Sequence, residues 1–165
     1  MIEYLPLVLT GIGLTASIVY YTNVLRISNQ TRRTQLFMEV KKTFDDPAFL
    51  EKYNRVMYTY HWEDYDDYLE NYGPEKHPKK NAEIMSLNNF FHGLGVLVAM
   101  GRIDIDLLGM HLGYRTVEVW DKLKSIVLER REREGLQYLG IYFEFLKDEQ
   151  LKRKTYPRGK ASYLA

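Results

Sequence analysis

Four histidines carry the most versatile side chains of this sequence, since an imidazole can bind metal ions and transfer protons near neutral pH. No two of them are four residues apart, and no H-E-x-x-H or comparable ligand spacing occurs. The sequence therefore predicts no metal site. His92 stands apart, because Asn88 lies one helical turn before it and Asn89 is the next residue. We interpret these three residues as a polar core cluster held by hydrogen bonds; a ligand-binding or proton-transferring role is the alternative.

A second group of candidates combines acidic and aromatic side chains in the segment HWEDYDDYLENYGPE. Exposed together, these residues would form a surface that suits a basic partner. The alternative is a helix with its tyrosines inward and its carboxylates outward. An EF-hand is excluded, because no register supplies the glycine at position six and the glutamate at position twelve. The candidate acidic-aromatic surface consists of Trp62, Asp64, Tyr65, Asp67 and Tyr68.

The remaining short motifs are explained by structure rather than by catalysis. Asp104 and Asp106 form a D-x-D, but Asp104 is placed to cap a helix that begins after Gly101. The Gly93-Leu94-Gly95 pair lacks the preceding strand of a dinucleotide-binding fingerprint, so these glycines are expected to let a neighbouring helix pack closely. No G-x-S-x-G, Walker motif or Ser/His/Asp arrangement occurs. We predict no catalytic residue and no cofactor.

Composition narrows the classes of function further. The formal net charge of the 165 residues is +1, so no overall basic field indicates nucleic acid. The chain has no cysteine, which excludes disulfides, thiolate metal sites and cysteine nucleophiles. The residues after position 25 are enough for one domain with a sizeable core.

Residues 4–25 contain no charged side chain. A helix over that range is about 33 Å long, and the hydrocarbon core of a bilayer is about 30 Å thick. The run predicts a transmembrane anchor over residues 1–25. A cleaved signal peptide is the competing interpretation, and it is disfavoured by Glu3 before the run and by the arginines that follow it. A buried core helix is the third interpretation, and it is weakened by the length of the run.

Charge around the anchor predicts its orientation. Glu3 is the only charge before the run, whereas five basic residues and Glu39 lie within positions 26–42. Short flanks rich in Lys and Arg stay in the cytoplasm. We therefore expect a single-pass protein of the cell membrane with its N-terminus outside and its remaining residues in the cytoplasm. The basic flank is also expected to lie near anionic lipid.

Small residues on one face of the anchor predict a helix–helix contact. Thr10, Gly13 and Ser17 follow one another at i, i+3 and i+7. Small side chains let a second helix approach closely, which matters in lipid because packing must supply the attraction. Besides the bilayer, the expected partner is another membrane protein or a second copy of this chain.

Hydrophobic periodicity predicts an all-α fold: the transmembrane helix continues into a stalk at 26–44, followed by a compact multi-helix bundle at 45–152 and a mobile basic tail at 153–165. Asp46 and Pro47 are expected to start a helix over 47–60. The stripe containing Ile84, Leu87, Phe91, Leu94 and Val98 predicts a core helix over 81–100. Further helices are predicted around Leu107 and Leu108, over 114–134 and over 136–152.

Several segments together resemble a family. They are RRTQLFMEV (32–40), DPAF (46–49), YGPE (72–75), FFHGLGVLVAMGRIDIDLLG (90–109) and VEVWDKLK (117–124). The chain is similar to uncharacterised prokaryotic proteins with a domain of unknown function, which combine one N-terminal span with a small cytoplasmic helical domain. The resemblance implies that fold and topology. It implies no activity, so no site residue is carried over.

Two functions are consistent with these observations. The favoured one is a single-pass, membrane-anchored helical interaction protein, an accessory subunit of a larger membrane complex, without catalytic activity. The alternative is a cytoplasmic-side small-ligand sensor or enzyme with a polar pocket around His92, to which Asn88, Asp104 and Asp106 contribute.

Overall fold

The structure is a computed structural model that describes residues 5–153, with side chains from Leu9 onward. Every regular element within this range is helical, which confirms the predicted all-α class. A π-helical turn, Arg55–Thr59, follows α2 directly. The helices are α1 (Leu5–Phe44), α2 (Pro47–Asn54), α3 (Tyr65–Tyr72), α4 (Pro78–Ala99), α5 (Ile105–Leu112), α6 (Arg115–Arg133) and α7 (Ile141–Arg153).

The chain divides into two compact units, one ending at Glu39 and the other beginning at Val40. Helix α1 runs without a break through the predicted anchor and stalk. No helix within residues 5–153 is both long enough and apolar enough to cross a membrane, so the described residues do not support the predicted span. The physical reason is that Thr15, Ser17, Thr22 and Asn23 interrupt the apolar sequence. Residues 1–4 of the predicted anchor and 154–165 of the predicted tail lie outside the described residues.

Aspartates cap the beginnings of two helices of the second unit. The Asp46 carboxylate accepts from the Ala48 and Phe49 amides, and Pro47 takes the first helical position of α2, as predicted. The Asp104 carboxylate caps α5 in the same way, accepting from the amides of Asp106 and Leu107. These contacts satisfy amide groups that a helix leaves unpaired in its first turn.

The core of the second unit is built around α4, as the hydrophobic stripe predicted. Ile84, Leu87, Phe91 and Leu94 are buried on this helix, whereas Val98 is half-buried. Phe91 stacks on Phe143 of α7 with ring centroids 5.0 Å apart. The inward side of α6 contains Val117, Trp120, Leu123 and Val127, which are all buried.

Helix α7 begins at Ile141, five residues later than predicted. Leu136, the first residue of the helix predicted over 136–152, is 40% exposed. Gly135 and Gly140 adopt φ values of +70° and +67°, a conformation that interrupts a right-handed helix on both sides of residues 136–139. The hydrophobic period of the sequence continues through residues 136–139, although the helical backbone conformation does not.

One glycine of α4 permits unusually close contact with α7. A Cβ atom at Gly95 would lie 1.8 Å from the Tyr142 carbonyl oxygen and 2.5 Å from its carbonyl carbon. Any side chain at this position would therefore push the two backbones apart. Gly93, two residues earlier, has no atom within 4 Å of the corresponding position. The expected role of this glycine pair in helix packing is thus carried by Gly95.

We predict opposite effects for alanine at these two glycines. Gly95→Ala lowers the free energy of unfolding by about 3 kcal/mol or more, because rigid backbone blocks the added methyl group. The control Gly93→Ala raises it by about 0.5–1 kcal/mol, because alanine suits a helix interior better than glycine. Chemical denaturation measures both values. Equal effects of the two substitutions would contradict the packing described for α4 and α7.

Candidate functional site

The predicted polar core cluster is only partly connected. The Asn88 side chain is 1% exposed, and its Nδ2 donates to Asn89 Oδ1 over 3.3 Å. Asn88 Oδ1 is buried and receives no hydrogen bond from the described residues. His92 is half-buried, with its ring 5.5 Å from the Tyr142 ring in an edge-on arrangement. Burial lowers the pKa of His92, which favours neutral imidazole in this apolar setting.

The carboxylates proposed to assist His92 have other partners. Asp104 caps α5 through its side chain. Asp106 lies 3.7 Å from the Arg153 guanidinium. Among residues 5–153, no group of three or more His, Asp or Glu side chains is arranged to hold a metal ion. The described side chains around His92 therefore display one orphan amide oxygen but no acid–base pair.

The structure places the acidic-aromatic residues on two sides of α3. Tyr65 and Tyr68 are 5% and 1% exposed, so they belong to the core. The Asp64 carboxylate caps α3 by accepting from the Asp67 amide over 2.8 Å. The Asp67 carboxylate in turn accepts from the Glu63 amide over 3.0 Å. This arrangement corresponds to the alternative with tyrosines inward and carboxylates outward.

Contacts with α6 hold the aromatic residues of this region in place. The Tyr65 hydroxyl donates to Glu134 Oε1 over 2.5 Å. Burial raises the pKa of Tyr65, and this hydrogen bond is the second cause of the increase. The Trp62 ring lies 4.4 Å from the Lys122 ammonium, a distance typical of cation–π attraction. Burial lowers the pKa of Lys122. Trp62 is thus half-buried and already engaged by a cation of the same chain.

Beside this region lies an open cleft of about 330 Å³ whose rim is acidic. Its carboxylates are largely occupied: Asp66 pairs with Arg133, Glu70 with Lys76, and Glu134 with Arg130. The paired groups leave little free negative charge for a ligand. The cleft is lined by Asp66, Leu69, Glu70, Gly73, Pro74, Glu75, Lys76 and Glu134.

A network that sequence reasoning missed joins the π-helical turn to α4. Arg55 donates to Glu83 through both sides of its guanidinium, with Nε–Oε2 at 3.1 Å and Nη2–Oε1 at 2.9 Å. The Tyr60 hydroxyl donates to the same carboxylate over 2.8 Å. Lys122 of α6 donates to the Tyr60 carbonyl oxygen over 2.6 Å. π-Helical turns are rare and often mark functional positions, which makes this network a candidate site.

The network is built to hold structure rather than to transfer protons. Glu83 is 13% exposed, and its hydrogen bonds with Arg55 hold the pKa of its carboxyl group below 4.5 although burial opposes them. A carboxylate with three donors at hydrogen-bond distance has little capacity left to act as a base. No spacing in the sequence indicates this pair, because 28 residues separate Arg55 from Glu83.

The candidate contact face of α1 is open. Gly13 has no atom within 4 Å of the position that a Cβ would take. The Ser17 hydroxyl donates to the Gly13 carbonyl oxygen over 2.8 Å, within the same helix. Thr10 is exposed as well. The face therefore presents small side chains whose backbone is accessible to a neighbour.

These features define an all-α helical-bundle protein whose ionisable groups largely stabilise its own fold. The profile of one family, described as a domain of unknown function (DUF4760), matches residues 7–149. The chain belongs to this family, which confirms the predicted membership of an uncharacterised domain family. Neither the curated proteins nor the solved structures include a match.

We predict that Glu83→Gln lowers the free energy of unfolding by about 1.5–3 kcal/mol at pH 7, because the Arg55 guanidinium loses its charged acceptor. The folded pKa of Glu83 is lowered, so its stabilisation is present above pH 4.5 and is lost as the pH falls through the folded value. The difference between the two proteins should therefore shrink below pH 4.5. Urea titrations at several pH values measure it.

Glu51→Gln is the matched control, since Glu51 also pairs with Arg55 but its side chain is 73% exposed. We expect a change below about 0.5 kcal/mol, as for other exposed ion pairs. A difference for Glu83→Gln that stays constant from pH 7 to acid pH would contradict the role assigned to its charge.

Proposed function

We propose that this chain is a membrane-anchored helical interaction protein. In this proposal α1 associates with the bilayer through residues 5–25 as a single-pass anchor, and the second unit binds other proteins on the cytoplasmic side. It serves as an accessory subunit of a larger membrane complex, without catalytic activity of its own. The observation that carries the proposal is the exposure of apolar side chains along α1.

Apolar exposure on α1 continues over several turns. Ile12 and Ile18 are 61% and 59% exposed, and neighbouring residues are similar. Proteins in water rarely leave so many large apolar side chains together on one surface, and such surfaces mark contacts with proteins or membranes. The exposed set comprises Leu9, Ile12, Leu14, Ile18, Val19, Tyr20, Tyr21, Val24, Leu25 and Ile27.

Three hydroxyl side chains in the same stretch are hydrogen-bonded within the helix. Thr15 and Ser17 donate to the carbonyl oxygens of Gly11 and Gly13, both over 2.8 Å. Thr22 donates to the Ile18 carbonyl oxygen over 2.7 Å. Hydroxyl groups bonded to the preceding turn need no water, so the cost of surrounding them with hydrocarbon falls. This pattern supports an apolar environment for α1.

The proposed topology rests on charge. Basic residues follow the apolar run at Arg26, Arg32, Arg33, Lys41 and Lys42. Flanks of this kind remain in the cytoplasm, which assigns the second unit to that side and the residues before the run to the other. The bundle then faces its protein partners close to the membrane surface.

We predict that Ile12→Glu with Ile18→Glu moves the protein out of the membrane fraction of expressing cells. A carboxylate at the centre of a span costs about 2.5–3.5 kcal/mol, so two outweigh the gain from the remaining apolar residues. The control Tyr58→Glu with Tyr138→Glu replaces residues that are 66% and 81% exposed in the second unit, and it should stay membrane-bound. Alkaline carbonate extraction followed by immunoblotting measures the distribution.

Two results would contradict the proposal. One is wild-type protein released by carbonate to the same extent as the glutamate variant. The other is a reporter fused after residue 165 that is active only outside the cytoplasm.

The contact face of α1 is tested in the same membranes by crosslinking. Gly13→Leu should abolish a crosslinked product that the wild type forms, since the leucine side chain keeps a second helix at a distance. Gly11→Leu is the control, because Gly11 is equally open but lies on the opposite side of the helix. Loss of the product in both variants, or in neither, would remove this face from the proposal.

A second candidate function, a small-ligand sensor or enzyme with a pocket around His92, is favoured by the orphan Asn88 Oδ1. Asn88→Leu distinguishes the two. If the residue is structural, this variant gains about 1 kcal/mol in free energy of unfolding, because a buried acceptor without a donor is removed. If it binds a ligand, native mass spectrometry should detect a small molecule on the wild type that the variant lacks. We expect the first result.

A further inference from the structure

A shallow groove of about 510 Å³ lies along the part of α1 that follows the exposed apolar stretch. Most of its lining side chains are hydrogen-bond donors, and two of them are guanidinium groups. Donors of this kind suit an anion with several oxygens. The groove is lined by Thr22, Leu25, Arg26, Asn29, Gln30 and Arg33.

Four of these residues share one side of the helix. Thr22, Arg26, Asn29 and Arg33 follow one another at i, i+4, i+7 and i+11, so successive turns place them in a row. The rise of an α-helix puts about 10.5 Å along the axis between Arg26 and Arg33. Both guanidinium groups can therefore bind oxygen atoms that lie at neighbouring positions along the helix axis.

Neither of these arginines is neutralised by the described part of the protein. Arg26 and Arg33 form no ion pair with any residue from Leu9 to Arg153. In the second unit, by contrast, Arg55, Arg131 and Arg133 each contact a carboxylate within 2.9 Å. Arg26 and Arg33 are thus available to bind an external anion.

We propose that Arg26 and Arg33, aided by Asn29, bind the phosphate groups of anionic lipids. This inference rests on the proposed membrane association and adds the lipid class to it. Leu25, which is 64% exposed, lies in the same groove, so one end of the site is apolar and the other is cationic. A phospholipid matches this arrangement because its phosphate is attached to acyl chains, whereas a free phosphate leaves the apolar end unused.

Dimensions agree with this assignment. The headgroup layer on each side of the hydrocarbon core is about 5–7 Å thick. With Leu25 at the acyl boundary, the long side chain of Arg26 reaches the phosphates from below, and that of Arg33 reaches them from the aqueous side. The groove therefore also sets the depth of α1 in the membrane.

The test is flotation of the purified full chain with vesicles of phosphatidylcholine alone or of phosphatidylcholine mixed with phosphatidylglycerol. We expect tighter binding to the mixed vesicles. Arg26→Gln with Arg33→Gln should weaken that binding roughly 25-fold, about fivefold for each arginine, and should remove most of the preference for mixed over phosphatidylcholine vesicles. The control Lys79→Gln with Arg102→Gln removes the same charge from exposed positions of the second unit and should bind like the wild type.

Three other outcomes of the flotation experiment would each contradict a different part of the proposal. Equal binding of the wild type to both vesicles would refute the lipid preference while membrane association stands. Binding to neither would refute the proposed function together with this inference. Inorganic phosphate that displaces the chain from mixed vesicles, when sodium chloride of equal ionic strength does not, would assign the groove to free phosphate instead.

Discussion

The second unit depends on the close approach of two helix backbones at Gly95. Only a residue without a Cβ fits against the Tyr142 carbonyl group at this point. At this separation the Phe91 and Phe143 rings can stack, and Trp120 of α6 packs edge-on against Phe143 with centroids 5.2 Å apart. The α4–α7 contact therefore brings the third large helix into the same core. Dispersion between such closely packed groups is what stabilises the bundle.

Local patterns were sufficient to predict much of the fold. The stripe of α4 and the caps at Asp46 and Asp104 depend on neighbours within one or two turns, so the sequence displays them directly. The start of α7 was mispredicted, because Gly135 and Gly140 take positive φ values inside a continuous hydrophobic pattern. Backbone conformation at a glycine has no periodic signature.

Contacts between distant residues were beyond sequence reasoning. The Arg55–Glu83 pair joins positions 28 residues apart, and nothing in either local sequence indicates the other. The candidate residues of the acidic-aromatic segment were recognised, but the direction of each side chain follows from how α3 packs on α6. The predicted transmembrane span rested on the length of the run and on its lack of charge, but no helix within residues 5–153 is both long enough and apolar enough to cross a membrane.

The two units use their polar groups differently, and this contrast underlies the proposed function. The second unit pairs many of its charges internally, as in the contacts of Glu83 and Glu134. These paired side chains are therefore not available to bind a ligand. Helix α1 instead leaves apolar side chains exposed, and its three arginines form no ion pair among the described residues. A surface that is apolar at one end and cationic at the next turn suits the boundary between hydrocarbon and headgroups.

The proposed membrane association is tested most directly by measuring the depth of α1 in a bilayer. Because the chain has no cysteine, one spin label can be attached at Ile18→Cys and, in a second protein, at Tyr138→Cys. In reconstituted vesicles, the label at position 18 should collide with dissolved oxygen and be shielded from a water-soluble nickel chelate, whereas the label at position 138 should show the reverse. Equal access of the nickel chelate to both positions would contradict the account.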